Sequence, residues 1–224
     1  MALLGGLGLA LAIASWSSSH ELRSTYAVRG SLNGVSFDVA GADVLVVGGG
    51  ERASVGVEHT NEYAFGHRAR TVREVRGGIF RVRSRCPDTV PGSCSVRYRL
   101  VVPDNVPVDV RTSSGDVTFR GYRGSARVTT GSGRVDMTDH CGFSLEARSE
   151  RGDVSVATTC SLQRMSLRST AGDVRAVVPP GRYQVEADSA SGGAAVRGLA
   201  EAPDAPFVLQ ALSSSGDVLV EARP

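Results

Sequence analysis

The chain has 224 residues, enough for one large domain or two small ones, and its 25 basic and 23 acidic residues leave a net charge of only +2. That balance excludes an overall field that would draw the whole protein onto nucleic acid. Every basic residue is arginine and aromatics are 5% of the chain, so a core must rest on Val, Leu and Ala.

The first element is the uncharged run from Ala2 to Trp16. As a helix it would reach about 22 Å, short of the roughly 30 Å hydrocarbon core of a bilayer. That length predicts an N-terminal apolar helix over residues 1–16, acting as a signal peptide or signal anchor. Ala12-Ile13-Ala14 offers a small-residue cleavage site. The first arginine is Arg23, so the usual positive flank is missing. Residues 17–27 read as a polar stalk and residues 28–224 as one domain.

In VSFDVAGADVLVV, Val35, Phe37, Val39, Val44 and Val46 alternate with more polar residues. Ala53–Val57, Ile79–Arg83 and Val96–Val102 also alternate, which is the period of strands with one buried face. The polar TNEYAFGHRARTVREVRGG between them reads as an exposed hairpin or loop. The four histidines, His20, His59, His67 and His140, fall at positions read as linker or loop.

From residue 108 a short phrase recurs: SSGDVTF, GSGRVDM, ERGDVSV, TAGDVRA, ASGGAAV, SSGDVLV. Its anchor glycines are Gly115, Gly133, Gly152, Gly172, Gly192 and Gly216, at spacings of 18, 19, 20, 20 and 24. Such a period suits one turn of a β-solenoid. Residues seven and five before each glycine, and two and four after it, are apolar in every repeat, from Val108, Val110, Val117 and Phe119 to Leu209, Ala211, Val218 and Val220. Polar residues alternate with them. The fold class is therefore all-β: a single parallel β-solenoid (β-helix) of about 18–24 residues per coil, two strands flanking a tight glycine turn.

Three before each glycine stand Thr112, Thr130, Ser149, Ser169, Ser189 and Ser213. Six equivalent hydroxyls at an inward corner read as a structural ladder rather than as catalytic serines. The glycines suit a positive φ or a close approach of stacked coils. Asp116, Asp153, Asp173 and Asp217 follow them and can bond to turn backbone. Calcium at these turns is a weaker reading, because Arg134 and Gly193 interrupt the column.

Cys141 and Cys160 each lie eight residues after a turn glycine, on consecutive coils. Stacked strands lie about 4.8 Å apart, within the range a disulfide spans. A Cys141–Cys160 bond follows, and Cys86 then pairs with Cys94. An even cysteine count without zinc spacing suits an oxidising, extracytoplasmic compartment. The long last repeat contains RGLAEAPDAP, read as a surface excursion. The chain stops four residues after Val220, which predicts an open strand edge at the solenoid end and end-to-end self-association.

The segments LNGVSFDVAGADVLVVGG and RYRLVVPDNVPVDVRTSSGDVTF, with the recurring S-x-G-D-V units, resemble the bacterial putative-adhesin domain family, also called toastrack-type domains. The likeness covers about residues 28–224, and the V-P-x-x-V-x-V-x-x-S-S-G-D-V stretch is its most specific part. The resemblance implies a β-helix on an exported or membrane-anchored protein. It supplies no catalytic residues.

The sequence shows no G-x-S-x-G, H-E-x-x-H or P-loop pattern. Four before each glycine, facing outward, the column reads Arg111, Thr129, Arg148, Arg168, Asp188 and Leu212, without paired acids. Glu146 and Glu186 share another column, expected two coils apart with Ser166 between them. These features point away from an enzyme and from a metal or organic cofactor. Arginine forks suit phosphate or carboxylate, so Arg111, Arg148 and Arg168 form a candidate stripe for cell-wall polymer or lipid headgroups. The plainer reading is a solvated strand face. The function read here is a non-catalytic extracytoplasmic scaffold or adhesin-like binding module, secreted or membrane-anchored. The alternatives are a sensing or regulatory partner of a membrane envelope-stress system and, behind it, a β-helix polysaccharide-active enzyme.

Overall fold

A computed structural model describes residues 19–87 and 93–224. The apolar helix expected over residues 1–16 lies outside these residues. Among the described residues there is no helix; every regular element is a strand.

The strands in chain order are β1 (His20–Arg29), β2 (Gly34–Val39), β3 (Ala42–Val47), β4 (Ser54–Tyr63), β5 (Arg70–Arg76), β6 (Ile79–Arg85) and β7 (Cys94–Val101). The repeats then supply β8 (Val108–Ser114), β9 (Val117–Arg120), β10 (Ala126–Ser132), β11 (Val135–His140), β12 (Ser144–Arg151), β13 (Val154–Thr158), β14 (Arg164–Ala171) and β15 (Val174–Val178). The last are β16 (Arg182–Ser189), β17 (Ala194–Arg197), β18 (Ala200–Glu201), β19 (Phe207–Ser215) and β20 (Val218–Ala222). Sheet A runs β1-β4-β7-β3-β9-β11-β13-β15-β20-β17, and sheet B runs β5-β6-β2-β8-β10-β12-β14-β19-β16-β18. The sheets face each other, and each coil contributes one strand to each.

The inward columns stack as the repeat requires. Val117, Val135, Val154 and Val174 are parallel register partners on successive strands, each at most 1% exposed. Phe119, Met137, Val156 and Ala176 form the next column. Between the sheets lies one continuous core of Val, Leu, Ala and a few aromatic rings.

The order of coils departs from chain order at both ends. The β6/β7 coil lies outside β2/β3, so the chain must cross back before β8/β9 stacks on the other side of β2/β3. At the other end β19/β20 enters between β14/β15 and β16/β17. The reason is burial. The β19/β20 coil offers Leu209, Ala211, Val218 and Val220, all buried. The β16/β17 coil offers Val185, Ala187, Ala194 and Val196 from the same columns, none of them fully buried. The more apolar coil takes the inside and the more polar one caps the stack. Each backward step uses a proline-bearing crossing, Pro103–Pro107 and Pro203–Pro206, where the absent N–H of proline suits a segment outside the ladders. The excursion expected at RGLAEAPDAP is the second of these crossings, partly ordered as β18 on β16.

These placements correct three expectations. The final strand β20 is internal, flanked by β15 and β17, so the chain end is not the solenoid edge. The C-terminal edges are instead four-residue β17 and two-residue β18, too short to template much pairing. Glu146 and Glu186 are three rungs apart, with Ser166 and Gln210 between them. The third correction concerns strand direction. The stack is parallel from β6/β7 to β16/β17, but β1, β4 and β7 pair antiparallel, as do β5 and β6. The polar segment expected as a hairpin or loop includes the end of β4 and all of β5, joined to β6 through Gly77 and Gly78. Their φ values of +60° and +74° fit a two-residue hairpin turn.

Candidate functional site

The turn columns are a scaffold. Ser149, Ser169, Ser213 and Ser189 donate to the carbonyls of Gly133, Gly152, Gly172 and Gly216 at 3.0, 2.9, 2.9 and 2.6 Å. Each reaches the turn of the adjacent rung, so an inward hydroxyl satisfies a carbonyl at the corner. The glycines permit this approach: a Cβ on Gly133 would lie 2.1 Å from the Gly115 carbonyl oxygen. Gly115, Gly152, Gly172 and Gly216 also take positive φ, whereas Gly133 and Gly192 serve by close approach alone. The Asp116, Asp153, Asp173 and Asp217 carboxylates accept backbone N–H bonds from the neighbouring turn. Among the described residues no group of three His, Cys, Asp or Glu side chains is placed to hold a metal ion.

Cys141 is bonded to Cys160 across adjacent rungs, with Cα atoms 5.2 Å apart, and Cys86 to Cys94 at 5.7 Å. One of the four histidines, His67, lies in the loop between β4 and β5 as expected; the other three do not. His20 begins β1, His59 faces inward from β4, and His140 ends β11 fully buried against Tyr122. Alternation through Val55, Val57, His59 and Asn61 was the signal that could have found His59; His140 carries none, because a register shift after Met137 breaks the alternation.

Grooves lie on the outsides of both sheets: the one on sheet A, about 460 Å³, balances Arg23, Arg97 and Arg99 against Glu21, Asp43, Glu58 and Asp116, whereas sheet B carries an excess of arginine. A groove of about 800 Å³ crosses sheet B from Ile79 and Arg81 past Asp109, Arg111 and Arg127 to Glu146 and Arg164. A second, of about 470 Å³, continues from Glu146 and Arg164 to Arg148, Arg168 and Glu186. The candidate stripe is thus divided. Arg111 lines the first groove, Arg148 and Arg168 the second. Register places Arg148 beside Arg168, with Thr129 between Arg148 and Arg111.

Neighbours restrain part of this charge. Arg111 pairs with Asp109 at 2.7 Å and Arg127 with Glu146 at 2.9 Å. Arg168 donates to the Gln210 carboxamide oxygen, which also accepts from Ser166. The guanidinium groups of Arg148 and Arg164 have no hydrogen bond or ion pair among the described residues. Along one row Asp109, Arg127 and Glu146 alternate in sign on successive strands, so an opposite charge separates the acids. Asp109 is half-buried, and burial pushes its carboxyl pKa up, with Arg111 and Arg127 offsetting part of the effect. Its Oδ1 is buried without a hydrogen-bond partner. Phe143, 67% exposed in the turn before β12, lines the first groove. Sequence reasoning missed Phe143, Arg127 and Arg164, because a turn residue and two ordinary strand positions carry no local signal of a shared groove.

Fold and face together define a parallel β-solenoid with disulfide-braced coils and an arginine-lined outer sheet. Residues 101–202, a little under half of the chain, match the family model described as Toastrack DUF4097, so this part of the chain is similar to a toastrack-type, adhesin-like domain of unknown function. The chain is also similar to a putative cell adhesion protein from Clostridium sporogenes, with 9% identity, 91% of this chain and 100% of that chain covered, and a TM-score of 0.48. A putative adhesin from Bacteroides fragilis shows 9% identity over 91% of this chain and 97% of that one, with a TM-score of 0.36. A putative lipid binding protein from Parabacteroides distasonis shows 11% identity over 90% of this chain and 97% of that one, with a TM-score of 0.35. No curated protein matches the chain.

Proposed function

We propose that the protein is a non-catalytic extracytoplasmic binding module whose sheet B face holds an extended anionic polymer, such as a phosphate- or uronate-bearing wall glycan. The carrying observation is the charge of the two adjoining grooves: six arginines (Arg81, Arg111, Arg127, Arg148, Arg164, Arg168) against three carboxylates (Asp109, Glu146, Glu186). That local excess exceeds the +2 of the whole chain. Two of the arginines have no partner to give up, so a ligand anion gains their forks without breaking an ion pair. Phe143 adds an apolar surface of the kind that packs against sugar C–H groups. Two disulfides support a compartment outside the cytoplasm.

The test is binding of a phosphodiester-linked glycan and of neutral dextran, measured by calorimetry at two salt concentrations. The reading expects salt-sensitive binding of the anionic polymer alone. It also expects loss of that binding in Arg111→Ala/Arg148→Ala/Arg168→Ala and in Arg148→Ala/Arg164→Ala. Unchanged affinity in both variants would remove the assignment of this face.

A further inference from the structure

The two ends of the stack are finished differently. At the C-terminal end the outermost strands are four-residue β17 and two-residue β18. At the N-terminal end sheet A finishes on the ten-residue β1, and sheet B finishes one rung earlier on β5. β1 pairs with β4 at every position, from His20 with Tyr63 to Arg29 with Ser54. It holds no proline and no bulge, so its outer edge presents an unbroken row of backbone donors and acceptors.

Apolar side chains are left uncovered at the same end. Among the described residues, four of the five exposed large apolar side chains, Leu22, Phe65, Val72 and Val75, belong to β1, to β5 or to the loop between β4 and β5. Leu22 shares the inward parity of Tyr26 and Val28, which pack against the core, yet it is 41% exposed. Val75 stands opposite the inward residue Phe80, yet it is 55% exposed. Apolar side chains this open at inward positions mark a layer missing from the stack.

β1 is complementary to itself. A two-fold axis sets it antiparallel to the same strand of a second copy, in registers that keep inward residues opposite inward residues. Centred on Thr25, the pairing runs from Glu21 to Arg29: Glu21 meets Arg29, Leu22 meets Val28, Ser24 meets Tyr26, and Thr25 meets its own copy. The Glu21 carboxylate and the Arg29 guanidinium have no hydrogen bond or ion pair among the described residues, so neither gives up a partner. Centring on Arg23 sets that arginine against itself, and centring on Tyr26 sets it against Arg29. Centring on Ser24 leaves Glu21 opposite Ala27, and centring on Leu22 pairs only His20 to Ser24. Charge and length together select Thr25.

We propose that a second copy of this chain docks here, joining two solenoids head to head through a β1–β1 ladder centred on Thr25. The ladder continues sheet A from one protomer into the other, which puts both sheet B faces on the same side of the dimer. One extended anionic polymer then reaches both faces; that consequence rests on the proposed function, and the dimer itself does not.

Sedimentation equilibrium of the full chain, without polymer, measures the dimer. Glu21→Arg and Arg29→Glu each turn two attractive pairs into like-charge pairs. Each should raise the dissociation constant about fivefold or more, and Glu21→Arg/Arg29→Glu together should restore it. Oxidised Thr25→Cys should give a covalent dimer, because its Cα stands about 5 Å from its copy. Arg23→Cys, about 14 Å from its copy, should not. Non-reducing peptide mapping reads the new bond beside the two native ones. A monomer at every concentration overturns the proposal, and if that monomer binds phosphatidylglycerol vesicles the end faces lipid instead. A dimer indifferent to both single charge reversals, or one linked through Arg23→Cys and not Thr25→Cys, overturns it equally.

Discussion

The Asp173 carboxylate accepts the backbone N–H of Asp217 at 2.8 Å, although the two residues are 44 positions apart. Asp173 in turn donates its own N–H to Asp153 at 3.0 Å, 20 positions away. The same turn motif thus stacks on its neighbour in sequence and on a coil that arrives much later. Asp217 continues the series to the N–H of Gly193, from a residue that precedes it in the chain. This ladder of carboxylate and amide records the insertion of the last coil.

Replacing Asp173 by Ala removes the acceptor for Asp217 at an exposed corner where water can substitute, so the expected loss is about 1 kcal/mol. Asp173→Asn keeps a side-chain carbonyl and relieves repulsion from Asp153 and Asp217 on the adjoining rungs, so it should be near neutral. Urea denaturation midpoints of the two variants check the difference.

The glycine column should tolerate substitution very unevenly. At Gly133 an added Cβ meets the Gly115 carbonyl oxygen at 2.1 Å, and rung spacing cannot open without breaking ladder bonds. Gly133→Ala should therefore cost on the order of 3 kcal/mol. At Gly193 the nearest atom is the Asp217 side-chain oxygen at 3.6 Å, so Gly193→Ala should stay within about 0.5 kcal/mol. Thermal and urea denaturation of both variants decides this.

Burial lowers the His140 pKa from 6.5 to about 4. The folded chain therefore holds this imidazole neutral while the unfolded chain protonates it. Stability contributed by neutral His140 is complete above pH 6.5 and is lost as pH falls from 6.5 towards 4. The loss is about 3 kcal/mol at the acid end of that window. His59 shifts in the same direction and adds to the slope. His140→Phe, which keeps a ring against Tyr122, should flatten the stability profile across this window. Urea midpoints at stepped pH values measure it, and an unchanged slope would contradict the assignment.

Repeat architecture was open to reading because stacked coils impose the same demand at the same offset. Val117, Val135 and Val154 announce one column, and Cys141 with Cys160 confirmed the rung spacing. What period alone could not reveal was order. Val185 and Leu209 look interchangeable as column members, and only the summed burial of their whole coils decides which lies inside. The groove was half legible: Arg111, Arg148 and Arg168 share a visible offset, whereas Phe143 and Arg164 join them only after the coils stack. Alternation placed Tyr98 inward and could have placed His59 there, but their stacking was hidden because the antiparallel pairing of β4 with β7 follows no repeat.

The two disulfides should contribute unequally. Cys141–Cys160 spans 19 residues and Cys86–Cys94 spans 8. Loop-closure entropy then gives roughly 3 kcal/mol for the first and roughly 2.5 kcal/mol for the second. Removal of the first should also loosen the β11/β13 pairing beside His140, because the bond joins the turns that follow those strands. Denaturation of Cys141→Ala/Cys160→Ala against Cys86→Ala/Cys94→Ala, with amide exchange across β11 and β13, checks both statements.

Coil order underlies the groove, since it sets Gln210 and not Glu186 beside Ser166 and Arg168. Cysteine cross-linking of the outer face measures it directly. Ser166→Cys with Gln210→Cys places two thiols on adjacent strands, about 4.8 Å apart, and should oxidise to an intramolecular disulfide with the fold intact. Ser166→Cys with Glu186→Cys sets them two rungs apart, roughly 10 Å, and should remain reduced. The reverse outcome, bonding in the second pair and not the first, would contradict the inserted coil and the face built on it.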